Sequence, residues 1–122
     1  MEETTYTMRQ VSKMLGVSSQ KLRRYCNAGL VSGVRHSLGR HRQFSDEQVD
    51  WLRMLNILER AGFSTQELRK FLRLRQDDSE QARREQRAML TTHKHQIRQK
   101  MVGFGEIVDF LERQEELLET VC

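Results

Sequence analysis

The sequence predicts a mainly α-helical protein in two parts, a small domain over residues 1–75 and one long helix over residues 76–122. Three observations carry this. The 122 residues contain no proline, helix-capping residues recur through the first part, and apolar residues recur every seven positions in the second. The charge divides at the same place. Residues 1–75 hold fourteen Lys or Arg and seven Asp or Glu, a net of +7, whereas residues 76–122 hold seven and ten, a net of −3. An apolar content of 37% with 31% charged residues suits a helical chain with much exposed surface, and the length allows one small core.

Residues 1–6 read as a short lead-in. Thr7 is an N-cap for a helix from about Met8 to Leu15, with Val11 and Leu15 on one face and Arg9 and Lys13 on another. Gly16 ends it, and Ser18 caps a second helix over about Ser19–Asn27, where Leu22 and Tyr25 or Cys26 point inward and Gly29 supplies the stop. Helix, glycine-containing turn and helix form the helix-turn-helix pattern. Alternation from Val34 and His36 to His41 and Gln43, around a turn at Ser37–Gly39, predicts a short β-hairpin, or wing, with Phe44 packed beneath it. Ser45 and Gln48 open a third helix through about Ala61 with Val49, Trp51, Leu52, Leu55 and Leu58 as its apolar set, and Gly62 closes it. Ser64 and Glu67 open a fourth carrying Leu68, Phe71 and Leu72. Trp51 reads as a core residue.

The stretch Met8–Phe44 carries eight basic side chains and no acid. Its regular apolar positions supply the buried side that a disordered basic tail lacks. A folded surface of one sign remains, for which nucleic acid is the natural partner. Ser19, Gln20, Arg23, Arg24 and Asn27 cover the outside of the second helix with the donors that base edges and phosphates require. Arg35, Arg40 and Arg42, with His41 between the last two, project from the wing.

Asp77, Asp78 and Ser79 start the long helix. Leu90, Ile97, Phe104, Leu111 and Leu118 recur every seven residues, and Met101 and Val108 fill the alternate position, giving a coiled-coil seam. A seam facing no other apolar part of the chain implies a second copy, and so a dimerisation helix. Gly103 and Gly105 each cost about 1 kcal/mol in a helix interior relative to Ala, which burial of Phe104 offsets by roughly 1.5–3 kcal/mol. The helix is kept continuous, with a bend or break expected there and two packed helices as the alternative.

The chain holds, in order, Gly16-Val17-Ser18, Leu22-Arg23-Arg24-Tyr25, Gly29-Leu30, Gly39-Arg40-His41-Arg42-Gln43-Phe44-Ser45 and Ala61-Gly62-Phe63-Ser64. With these motifs, residues Tyr6–Leu72 resemble the DNA-binding domain of the MerR family of bacterial transcription regulators. The resemblance implies a winged helix-turn-helix DNA-binding domain, dimerised through the following coiled-coil helix, on a pseudo-palindromic promoter element of double-stranded DNA that it distorts. By position, Ser18, Ser19, Lys21 and Arg24 approach bases, Arg23 and Tyr25 hold phosphates, and Arg40 and Arg42 come from the wing. RNA polymerase at the promoter is a further implied partner. The recognition helix has Arg24 and Cys26 where the family often has a second aromatic and an acid, and the cysteine pairs of the metal-sensing members have no counterpart.

Cys26 and Cys122 form neither a disulfide framework nor a zinc spacing. Cys26, close to Arg23 and Arg24, is either a small core thiol or one whose pKa is lowered for oxidant sensing. His93 and His95 point away from each other on a helix and read as solvated. No nucleophile–base–orienter set, phosphate loop or carboxylate pair points to an enzyme, and no metal or cofactor is expected. The start MEETTYTM is unlike a secretory signal and no apolar run spans a membrane, so the expected location is cytoplasmic, on the nucleoid. The rival readings are an excisionase-like protein that bends DNA and a coiled-coil adaptor with secondary DNA binding.

Overall fold

The computed structural model describes residues 4–36 and 42–120, and the side chains of Arg35 and His36 are outside that description. The chain runs β1 (Thr5–Thr7), α1 (Met8–Leu15), α2 (Ser19–Asn27), β2 (Arg35–His36), β3 (Arg42–Ser45), α3 (Asp46–Arg60), α4 (Thr65–Gln76) and α5 (Glu80–Thr120). This is a winged helix-turn-helix domain followed by a long helix.

Thr5 and Tyr6, read as part of a lead-in, belong with Thr7 to a strand instead. β1 pairs antiparallel with β3, which also pairs with β2, giving the sheet order β1-β3-β2. Tyr6 lies opposite Phe44 in this register, and its hydroxyl donates to Asp46 Oδ1 at 2.8 Å. Three residues were too few for a period-2 signal, and the partner strand stabilises them. The expected turn at Ser37–Gly39 lies outside the described residues.

Side-chain caps set the helix starts. Thr7 with Gln10, Ser45 with Gln48 and Ser64 with Glu67 are reciprocal capping boxes, and Ser18 Oγ accepts from the Lys21 backbone N–H. Gly16 ends α1 at a φ of 65°, a left-handed conformation that glycine adopts without penalty. Val11, Leu22, Tyr25, Leu30, Phe44, Leu52, Leu55 and Leu68 are the fully buried side chains of one core. Trp51 joins it, its indole N–H donating to the Leu30 carbonyl at 2.6 Å and its ring lying parallel to Phe71 at 6.3 Å.

α5 runs unbroken through Gly103 and Gly105. Its first turns lie on α4, where Ala82 is buried and Gln86 Nε2 donates to the Leu74 carbonyl at 3.1 Å. His93 is the last buried residue along it, and this corrects the expectation of a solvated histidine. Its ring stacks on Phe63 at 4.1 Å between centroids, and its Nε2 lies 2.7 Å from Glu67 Oε2. The His93 contact foremost, with the Ser64 backbone N–H, holds the Glu67 carboxyl below its ordinary value. An ionised carboxylate can only accept, so Nε2 is the donor in this contact. Glu67 thus closes the α4 capping box with one oxygen and ties down α5 with the other. The sequence pattern missed His93 because its Phe63 partner sits thirty residues earlier, beside the turn at Gly62.

Past His93 every side chain of α5 is exposed apart from Gly103, which is half-buried. Twenty-seven residues thus extend about 40 Å from the domain at 1.5 Å per residue. Ser64→Ala removes a cap only and is expected to cost about 1 kcal/mol. Glu67→Ala removes the box and the α5 tie together, so denaturant unfolding should show a loss roughly twice as large. Equal losses would mean that the Glu67–His93 contact does not stabilise the domain.

Candidate nucleic-acid interface

α2 presents Gln20, Arg23, Arg24 and Asn27 to solvent, with Ser19 and Lys21 half-buried. A shallow concavity of about 760 Å³ follows this face and is lined by Ser18, Gln20, Lys21, Arg23, Arg24, Asn27 and Ala28. Leu22 and Tyr25 anchor the opposite side in the core. Leu22 and Tyr25 lie three residues apart, with Ser19 and Cys26 half-buried beside them, so one face packs while the other stays open.

The candidate site residues divide by environment. Arg23 is exposed and has no ion pair among the described residues. Ser18 is exposed, but its hydroxyl is used as the helix cap, accepting from the Lys21 N–H at 3.1 Å. Arg42 reaches across from β3, its Nη2 donating to Asn27 Oδ1 at 2.7 Å. This contact fixes the base of the wing against the C-terminal end of α2. Arg35 pairs through its backbone with Gln43, and Arg40 and His41 lie outside the described residues.

Burial sets the environment of two further residues of α2. Tyr25, given to phosphate by the resemblance, is fully buried, and its hydroxyl donates to Glu59 Oε1 at 3.2 Å. Burial foremost, then the Glu59 charge, pushes its phenol well above the ordinary value, so in this arrangement it presents nothing to a phosphate. Cys26 is half-buried, and burial pushes its thiol pKa up more than the nearby Arg42 pulls it down. A raised pKa disfavours the thiolate that oxidant sensing needs.

Glu59 of α3 is the residue that the sequence reading missed. Arg24 Nη1 and Nη2 donate to its two oxygens at 3.0 Å each, and Lys21 Nζ lies 3.2 Å from Oε1 while donating to Asn56 Oδ1 at 2.6 Å. Arg24 foremost, with Lys21 and Tyr25 adding, holds the Glu59 carboxyl at about 2 against the opposing effect of partial burial. A lone acid near the end of an amphipathic helix looks like an ordinary solvated charge, and only the packing of α3 beneath α2 distinguishes it. Arg69 of α4 was likewise missed. Its guanidinium donates twice to the Ala28 carbonyl at 3.2 Å, satisfying the end of α2.

A family profile described as MerR HTH family regulatory protein matches residues 6–74, more than half of the chain. The chain belongs to the MerR family. A second profile, described as MerR, DNA binding, matches residues 49–104 and so reaches into α5. Among curated relatives, an uncharacterized HTH-type transcriptional regulator of Haemophilus influenzae is 31% identical over 67 residues, covering 55% of this chain and 50% of its own length. The HTH-type transcriptional regulator HmrR of Sinorhizobium medicae is 28% identical over 98 residues, covering 80% of this chain and 66% of its own. The chain therefore spans between half and two thirds of the length of these relatives. The fold resembles HiNmlR, a MerR family regulator lacking the sensor domain, solved bound to promoter DNA, with a TM-score of 0.87 at 22% identity over 95% of this chain and 87% of that one. The N-terminus of MtaN, the Bacillus subtilis multidrug transporter activator, gives a TM-score of 0.62 at 23% identity over 89% and 96%. Among the described residues no helix is long and apolar enough to cross a membrane.

The Glu59 cluster has an acid signature. Its carboxyl is held at about 2, below the ordinary 4.5, so its ties stabilise the fold fully above about pH 4.5 and are lost as pH falls toward about 2. Thermal unfolding across that window should show wild type losing stability that Glu59→Gln does not lose. The same acid dependence in both proteins would mean that the cluster contributes nothing to folding.

Proposed function

We propose that this chain is a sequence-specific DNA-binding transcription regulator that acts as a homodimer on a pseudo-palindromic duplex and distorts the DNA between the half-sites. The observation that carries the reading is one juxtaposition. An acid-free outer face on α2, braced by the wing strand through Arg42 and Asn27, sits in the same chain as a projecting helix whose apolar seam has no partner among the described residues.

Leu90, Ile97, Met101, Phe104, Val108, Leu111 and Leu118 are all large hydrophobics between 37% and 76% exposed. Monomeric proteins rarely leave so long an apolar stripe in water. A second copy of the same seam covers it, and the resulting two-fold axis sets two α2 helices at a fixed separation. Two recognition helices related by such an axis read an inverted repeat. Ser19, Gln20 and Arg24 are the base-reading candidates, and Arg23, Arg42 and the wing residues Arg35, Arg40 and His41 the backbone and groove candidates. Lys21 and Ser18 support them at the start of α2. RNA polymerase at the promoter and a nucleoid location belong to the same proposal, and the HiNmlR fold on promoter DNA supports it.

Each buried seam side chain contributes roughly 1.5–3 kcal/mol. Phe104→Glu should therefore convert a dimer into a monomer by sedimentation equilibrium, and weaken duplex binding by at least about tenfold through loss of the second half-site. Wild-type affinity should fall about a thousandfold or more between about 50 and 200 mM salt. A monomeric wild type would overturn the dimer, and a flat salt response would overturn phosphate-driven binding.

A further inference from the structure

Of the three cations on α2, two do not face solvent unpaired. Arg24 places one N–H of each terminal nitrogen on Glu59, both at 3.0 Å, and Lys21 Nζ stands 3.2 Å from the same carboxylate. With the Tyr25 hydroxyl at 3.2 Å, Glu59 Oε1 receives three donors. This is the kind of environment that a DNA phosphate oxygen receives from a basic protein surface. Arg23, on the same helix, has no ion pair among the described residues.

We propose that Glu59 is a specificity-determining residue whose carboxylate occupies Lys21 and Arg24 in place of phosphate and so withdraws them from sequence-independent DNA binding. The inference rests on the duplex-DNA reading above. Moving a cation from Glu59 to a phosphate exchanges one anion for another. It leaves the carboxylate uncompensated beside the polyanion, so little is gained. A base edge is different, because the O6 and N7 of guanine are uncharged acceptors that repel a nearby carboxylate far less than a phosphate does. Arg24 in this fork keeps Nε–H and a second N–H on each terminal nitrogen, so it can hold Glu59 and still donate to a base. Glu59 is thereby also a positioning residue, fixing one rotamer of a long side chain before DNA arrives. Free Arg23 supplies the phosphate contact that the paired cations do not.

The test is a salt titration of binding to a short duplex of arbitrary sequence, compared with a duplex selected by the wild-type protein. Each additional phosphate neutralised steepens the logarithmic salt slope by about 0.9. Freeing both cations in Glu59→Gln should therefore steepen the slope on arbitrary DNA by about 1 to 2 per subunit. It should also raise affinity at about 0.15 M salt by roughly five- to thirtyfold per subunit, while affinity for the selected duplex rises less, so that the specificity ratio falls. An unchanged or weaker slope on arbitrary DNA overturns the proposal. A second comparison leaves Glu59 intact and does not depend on the folding of that variant. Arg23→Gln should lower the slope on arbitrary DNA by about 1 per subunit, and Lys21→Gln by less than half as much. Equal reductions overturn the proposal. A wild-type protein that binds neither duplex overturns the regulator reading instead, and the two failures are distinct.

Discussion

The direction in which α5 leaves the domain depends on a short stack of rings. Trp51 lies parallel to Phe71, Phe63 meets Phe71 edge-on at 6.0 Å, and His93 stacks on Phe63. This line carries the core of α3 and α4 out to a residue more than ten positions into α5. Glu67 holds its far end, and Gly62 turns the chain beside it at a φ of 103°, a left-handed backbone that glycine adopts without strain. A projecting helix fixed only at its first turn would swing, and the stack ties α5 to the domain as far as His93. In the proposed dimer, that tie would set the spacing of the two α2 helices.

The recognition face follows a second constraint, that a dense patch of like charge repels itself. α2 carries Lys21, Arg23 and Arg24 within four residues and has no acid of its own. The compensating carboxylate comes from α3, and it neutralises part of the patch without entering α2. Arg42 and Asn27 on one side, and Arg69 on the Ala28 carbonyl, complete the frame. The face is thus ordered by its neighbours and left open toward solvent.

Much of this was legible in the sequence. The caps at Thr7, Ser18, Ser45 and Ser64 located helix starts because a side-chain oxygen three residues before an unsatisfied N–H is a local feature. Trp51, Leu22 and Phe44 were legible as core from helical and alternating spacing, and the long helix from its seven-residue period. What escaped depends on contacts far apart in sequence. β1 exists because β3 lies beside it. His93 is buried because Phe63 and Glu67 meet it, and the Tyr25 hydroxyl is taken by Glu59, thirty-four residues later. Gly103 and Gly105 made a break in α5 plausible, and the helix continues through both. At those positions nothing lies within 4 Å of an added Cβ, so neither glycine is there for a close approach within the chain.

If two copies of this chain, joined through α5, read duplex DNA at a fixed spacing as proposed, the sites they select must carry that spacing. Selection of bound sequences from a random duplex library at physiological salt should then yield one inverted repeat with a constant separation between its halves. Binding that enriches no sequence, or that enriches single half-sites at variable separation, would contradict that reading.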